Sequence, residues 1–256
     1  MRLRRLWICF LAAMLCFTSC AWAESAGVQV IGENAGEVYM PEGSDAQSAR
    51  YVYRYSYPQV EDNGETAQMI NDFYTYLVDD AKNFAVPMAY ESLEENEVQA
   101  YTAITSQVMC NTAEYFSVLV TTESFLGAET SQIIAGHTFA LTGGKAGTCI
   151  SLPYLLGLLD AGESDTWMQD RATAKADKLV YDLVWEIIEQ QQAEGTVTYY
   201  DDLTREELEA QFYPEEDFYL DESGNPVFYV QSSYLASSAE GVLYYPFTVE
   251  ELLDEM

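Results

Sequence analysis

The chain has 256 residues, with 42 acidic against 11 basic side chains, a net charge of −31. That excess argues against a nucleic-acid partner, because a polyanion would be repelled rather than exchanged for counterions. It would attract a cationic partner, but the ordinary reading is a solvated surface that only keeps the protein soluble.

The N-terminus reads as a processing signal. Arg2, Arg4 and Arg5 give a positive start, Leu6 to Phe17 is an apolar run too short to span a bilayer, and Ala21-x-Ala23 is a small-x-small cleavage site before Glu24. An alternative route is open, because Phe17-Thr18-Ser19-Cys20 resembles a bacterial lipoprotein box in which Cys20 is lipidated. Either route predicts an extracytoplasmic protein, and the second ties it to a membrane through the lipid alone. Simple cleavage leaves Cys110 and Cys149, a pair that permits one disulfide or two free thiols.

Residues 24–49, rich in Gly, Glu, Ser and Ala, read as a linker with a short strand at Val28–Ile31. Arg50 to Tyr57 alternates cleanly, with Tyr51, Tyr53, Tyr55 and Tyr57 on one face, and predicts a strand ended by Pro58. The tyrosine stripe is expected to pack under a helix rather than to stack on carbohydrate. From Gly64 to about Asn96, the three- and four-residue spacing of Met69, Ile70, Phe73, Leu77, Ala81 and Phe84 predicts a helix that Pro87 kinks or ends. The acidic run Glu91, Glu94, Glu95 and Glu97 marks exposed surface. Four strands follow, at Ile104–Cys110, Tyr115–Ser124, Gln132–Leu141 and Thr148–Leu152, and their short links predict antiparallel hairpins.

After a helical turn at Tyr154–Leu159, Ser164 is expected to cap the longest helix, Asp165 to Ala193, which Gly195 stops. Its stripe is Trp167, Ala172, Ala176, Leu179, Val180, Leu183, Val184, Ile187 and Ile188. Thr204-x-x-Glu207 and Thr248-x-x-Glu251 are capping boxes for short helices. Between them lie three strands, Phe218–Leu220, Val227–Gln231 and Val242–Phe247, apolar on both faces and therefore covered on both. The predicted fold class is α+β, with antiparallel sheets packed against two main helices.

Chemistry-bearing motifs are scarce. His137 is the only histidine, which removes every two-histidine metal motif. A Cys–His nucleophile built from Cys110 or Cys149 with His137 is formally available, but a core cysteine and a strand histidine are the ordinary explanation. There is no Gly-x-Ser-x-Gly elbow and no phosphate loop, and Gly143-Gly144-Lys145 reads as a turn. Asp221-x-Ser223-x-Asn225 begins like a calcium loop but lacks its Gly and its closing Glu, so it is expected to be a hairpin turn. No catalytic residue, metal ligand or cofactor site is predicted.

Several short segments resemble a family of extracytoplasmic bacterial sensor domains. They are Tyr57-Pro58-Gln59, Ile70-Asn71, Gly136-His137, Gly147-Thr148, Ser151-Leu152-Pro153-Tyr154-Leu155-Leu156, Phe218-Tyr219-Leu220, Val227-Phe228-Tyr229 with Gly241, and Phe247-Thr248-Val249-Glu250-Glu251-Leu252. They are similar to the paired domains of unknown function in the lysozyme-sensing anti-sigma factor RsiV and beside the catalytic domain of the peptidoglycan deacetylase PdaC. The resemblance covers most of residues 50–252, dividing into an N-terminal half at 50–160 and a C-terminal half at 161–256 after the signal at 1–23. It implies a free-standing extracytoplasmic binding domain for a cationic protein such as lysozyme, or for a peptidoglycan fragment. Neither sigma-factor control nor deacetylation carries over. The alternatives are a wall-active hydrolase or deacetylase accessory, and a structural surface lipoprotein.

Overall fold

The computed structural model describes residues 27–94 and 98–256. The signal segment with Cys20, and residues Glu95 and Glu97 of the acidic run, lie outside that range. The fold is α+β, as the alternation of patterns implies.

Five strands form the larger sheet, in the order β1 (Val30–Met40), β2 (Tyr51–Val60), β3 (Ala100–Asn111), β4 (Tyr115–Phe125) and β5 (Thr130–Ala140). β1 is a full edge strand, paired antiparallel with β2 from Val30↔Val60 to Met40↔Tyr51, where the sequence suggested a linker. Its Glu33, Asn34, Gly36 and Glu37 hide the usual strand signature, and acidic side chains on an exposed edge discourage a second chain from pairing there. β2 and β3 pair parallel, Tyr51–Tyr55 against Ala100–Ile104, with the helical segment as their crossover. The pairs β3–β4 and β4–β5 are the expected antiparallel hairpins. β2 does not stop at Pro58. β3 pairs only with its first half, so the missing N–H falls where β2 has a single neighbour.

The crossover is one continuous helical rod: α1 (Glu65–Asp80), a π-helical turn (Ala81–Ala85) and α2 (Val86–Glu91). Pro87 neither ends nor breaks it, because it sits in the first turn of α2, where its absent N–H costs little and the preceding π turn absorbs the register change. Ala67, Ile70, Tyr74 and Val78 of α1 are buried against Tyr57, Phe116, Val118, Val120 and Phe139 of the sheet. The tyrosine stripe packs under this rod as expected, with Tyr51, Tyr53 and Tyr57 at most 3% exposed.

Thr148–Leu152 is not a strand. A single bridge joins Phe139 to Cys149, and Leu152 already opens α3 (Leu152–Leu155), before the Tyr154 start that the sequence suggested, with Pro153 in its first turn. Asp165, not Ser164, caps α4 (Thr166–Glu194), accepting from the Trp167 and Met168 backbone N–H groups at 2.9 and 3.4 Å. Gly195 ends it at φ 66°, the left-handed conformation of a C-terminal glycine. Trp167 leaves the predicted stripe for solvent under Arg171, whereas Ala172, Ala176, Val180, Val184 and Ile188 are buried. Val180, Val184 and Ile188, fully buried, each contribute about 1.5–3 kcal/mol. Both capping boxes are formed, at α5 (Arg205–Gln211) and α6 (Val249–Asp254).

The second sheet, β6 (Phe218–Leu220), β7 (Pro226–Val230) and β8 (Leu243–Pro246), is antiparallel, and every residue of β7 is buried. Its core runs from α4 through Phe212, Phe218 and Phe228 to Cys110 and Ala140 of the larger sheet. Asp221 closes the β6–β7 turn by accepting from the Ser223 and Asn225 N–H groups, so the calcium-like rhythm is the expected hairpin turn.

β6 docks on the larger sheet through backbone. The Leu220 N–H donates to the buried Ser117 hydroxyl at 2.9 Å, and Ser117 also bonds Thr138 at 2.8 Å. Ser117→Ala strands both partners in the interior and is expected to cost about 1–3 kcal/mol in urea unfolding. A change under about 0.5 kcal/mol would show that this pair does not hold the sheets together.

Candidate functional site

Where the two sheets meet, a cleft of about 400 Å³ opens beside the free edge of β5. Ile134–Thr138 form one wall, Cys149–Ser151 the floor, and Glu215–Phe218 with Tyr229 the opposite wall. Side chains from the C-terminal sheet finish the β5 edge. The Gln231 amide acts as a surrogate strand, accepting from Ile134 N–H at 3.0 Å and donating to Ile134 C=O at 2.7 Å. The Gly136 N–H donates to Tyr229 Oη at 2.8 Å. Gly136 is required by close approach, since a Cβ there would lie 1.8 Å from the Phe218 carbonyl oxygen.

The structure brings His137 and Cys149 to this one cleft and leaves Cys110 out of it. Cys110 is 1% exposed in the C-terminal core, and both thiols are free, so the Cys110–Cys149 disulfide is not formed. The reason is placement: Cys110 lies beneath the C-terminal sheet, while Cys149 opens to the cleft.

Neither cleft residue is poised for nucleophilic catalysis. His137 packs edge-on against Phe73 at 5.1 Å and beside Tyr74 at 5.8 Å, and its Nδ1 has no hydrogen-bond partner. Burial lowers its pKa to about 4, so the ring is neutral at physiological pH. Cys149 is open to the cleft, yet protein surrounds it closely enough that desolvation raises its pKa. The backbone N–H groups of Thr138 and Ile150 only partly offset that. A thiol held protonated is a weak nucleophile.

The cleft's distinctive chemistry is carboxylate. Glu215, Glu216 and Asp217 line it in succession, and Asp177 of α4 lies against Glu215. Burial first, then the Glu215 charge, pushes the Asp177 pKa up to about 7. Burial likewise raises Asp217 to about 6, although the Tyr213 N–H donates to it at 2.8 Å. Asp177 Oδ1 and Glu215 Oε2 are buried, and the protonated Asp177 carboxyl hydrogen-bonds the Glu215 side chain. The ion pairs among the described residues join Arg54 to Glu37, Lys178 and Arg205 to Asp182, and Arg205 to Glu209, and none of them reaches the cleft. Burial, and for Asp177 the Glu215 charge beside it, thus keeps Asp177 and Asp217 protonated above the usual carboxylate range, with no ion pair to a cation at the cleft among the described residues.

Sequence reasoning found His137 and Cys149 but missed these acids among 42. One signal was available. Asp177 interrupts the margin of an apolar stripe, and Glu215-Glu216-Asp217 directly precedes a strand buried at both ends.

The acids also set a pH dependence. The Asp177 and Asp217 pKa values are raised on folding, so the folded state holds extra protons between about pH 4 and 7 and loses stability as pH rises through that window. His137, lowered on folding, acts oppositely and costs stability as pH falls from 6.5 towards 4. Asp177→Asn is expected to raise Tm by about 2–6 °C at pH 8 and hardly at all at pH 4.5, a screened effect at a partly exposed group. Equal shifts at both pH values would refute the assignment.

Comparison with known proteins supports the fold. A DUF3298 family protein from Pseudomonas aeruginosa, of known structure, is 13% identical over 90% of this chain and 95% of its own, with a TM-score of 0.50. A DUF3298 family member from Bacteroides fragilis is 15% identical over 90% of this chain and 94% of its own, with a TM-score of 0.46. No protein-family model matches the chain, and no curated protein does. The neighbours are thus domains of unknown function, and the first shares this fold. No helix among the described residues is long and apolar enough to cross a membrane.

Proposed function

We propose that this chain is a non-enzymatic extracytoplasmic binding domain whose acidic cleft receives a lysine or arginine side chain of a cationic protein. The observation that carries the reading is the set Glu215, Glu216 and Asp217 lining one cleft, with Asp177 against Glu215 and no ion pair to a protein cation there among the described residues. An entering ammonium or guanidinium group replaces the protons that crowding holds there, so binding releases protons and tightens from pH 6 to 8. The surrounding charge of −31 steers the same partner from a distance. The unactivated thiol and the neutral imidazole support a role in binding.

The extracytoplasmic setting rests on the N-terminal signal pattern. The resemblance to the RsiV and PdaC domains names a lysozyme-like protein as the partner. A second reading, a peptidoglycan fragment, has one observation in its favour. A further cavity of about 230 Å³, lined by Lys145, Tyr154 and Gln169, shares Cys149, Ile150 and Ser151 with the cleft, which makes a groove suited to an extended ligand.

The test is a titration of residues 24–256 with lysozyme at low and physiological salt, beside an unrelated basic protein. Saturable 1:1 binding that survives physiological salt and exceeds the control is expected. Surface steering alone would be screened over about 8 Å at that ionic strength, so binding equal to the control and lost with salt would overturn the proposal.

A further inference from the structure

The helical rod has a second apolar face, turned away from the sheet. Met69, Tyr76, Phe84 and Met88 are 36%, 66%, 63% and 69% exposed. At about 100° per residue, Met69 and Tyr76 share one line along α1. The π turn Ala81–Ala85 then adds one residue to the winding. It brings Val86 in against Tyr51, Tyr53 and Ala100 of the sheet, and so turns Met88 outwards. With the extra residue discounted, Met69 and Met88 are separated by about five whole turns. In an unbroken α-helix Met88 would instead fall in phase with Ile70, which is fully buried against the sheet. The result is one solvent-facing line about 28 Å long. Large apolar side chains aligned in this way, rather than scattered singly, mark an interaction surface.

The charge beside the line fixes the kind of partner. Asp80 lies in it, between Tyr76 and Phe84, and Asp72 and Asp79 run along one side. All three are exposed, and no ion pair among the described residues uses them. The only basic side chain of the rod, Lys82, is turned to the sheet: its Nζ donates to Tyr55 Oη at 3.3 Å and lies 5.1 Å from the centre of that ring. A second copy of the chain would set acid against acid, and an anionic bilayer would be repelled. The complement is a helix whose apolar stripe is bordered by lysine or arginine.

We propose that the outer face of the rod docks a basic amphipathic helix of a partner protein. The partner's apolar residues lie along Tyr76, Phe84 and Met88, and its cationic side chains reach Asp72, Asp79 and Asp80. Methionine suits such a face, because its flexible, polarizable side chain adapts to varied apolar surfaces. The face shares no residue with the acidic cleft, and the proposal stands apart from the one made for the cleft.

The probe is a synthetic peptide of three heptads with leucine at a and d, lysine at e and g and alanine elsewhere, whose lysines repel one another and oppose its self-pairing. Titrated into the full chain at physiological salt, it should bind saturably and at least about tenfold more tightly than a peptide of the same composition with its leucines scattered. Phe84→Ser with Met88→Ser keeps every charge and should weaken binding at least about tenfold. Both side chains are exposed, so the circular dichroism of that variant should match the parent's. Asp72→Asn with Asp79→Asn and Asp80→Asn keeps the apolar line and should weaken binding about three- to tenfold, the worth of three exposed ion pairs. E215Q/E216Q/D217N, confined to the cleft, should change it less than about threefold. No saturable binding, equal binding of the scattered peptide, or binding indifferent to the Phe84 and Met88 changes overturns the docking face. Binding lost in the cleft variant and kept in the Phe84 and Met88 variant assigns the peptide to the cleft and overturns it too. Binding indifferent to the three Asp→Asn changes overturns the basic character of the partner.

Discussion

Gly136→Ala is expected to destabilise the protein by about 4 kcal/mol or more, among the largest effects of any single substitution. The added Cβ falls 1.8 Å from the Phe218 carbonyl oxygen and 2.6 Å from its carbon, and these are backbone atoms that cannot rotate away. Relief requires β6 to lift off the larger sheet. That lengthens the Gly136–Tyr229 bond and disturbs the Leu220–Ser117 and Gln231–Ile134 bonds nearby. Against a total stability of about 5–15 kcal/mol, the variant should unfold at a far lower urea midpoint. Gly162→Ala is the control, since a Cβ there meets nothing within 4 Å. A loss under about 1 kcal/mol at Gly136 would mean that the two sheets approach less closely than described.

Phe228→Ala is the second large effect, at about 3–5 kcal/mol. Phe228 is fully buried in the middle of β7, with ring centroids of Phe212, Phe218 and Phe247 at 6.2, 6.0 and 6.0 Å. Truncation removes the apolar contact and leaves a cavity at the point where the Phe212, Phe218 and Phe247 rings all meet Phe228. Chemical unfolding followed by near-ultraviolet circular dichroism reads both the stability and the aromatic packing. A variant within about 1 kcal/mol of the parent would place the C-terminal core elsewhere.

What was legible in the sequence is what local periodicity encodes. The tyrosines of β2, the α4 stripe beyond Trp167 and the two capping boxes each declare themselves by local spacing, and the structure places them as read. The misreadings share another cause. β1 is an edge strand rich in Gly, Glu and Asn, and its partner supplies what its own composition lacks. Thr148–Leu152 has strand-forming residues, but Ser151 is already the N-cap of α3, whose first turn takes in Leu152 and Pro153, and the rest makes one bridge only. Trp167 fits the α4 period but falls in the first turn, beyond the packed core. The parallel pairing of β2 with β3 depends on the crossover between them, which no local pattern specifies.

The cleft was less legible than the fold for the same reason. His137, Cys149 and Glu215–Asp217 come from β5, a bridge and a loop, with Asp177 of α4 set against Glu215, and only tertiary packing makes them neighbours. In a chain with 42 acids, composition cannot single out the few that are crowded.

The central claim is that the cleft acids, rather than net charge, hold the cationic partner. Lysozyme should therefore be titrated at physiological salt into the parent, into E215Q/E216Q/D217N, and into E42Q/E91Q/E94Q, which removes three exposed acids around the start of β2 and β3. The account predicts at least about a tenfold loss for the cleft variant, within the range for truncated buried charge contacts, and less than about threefold for the remote one. Equal losses in the two variants, or none in the cleft variant, would contradict it.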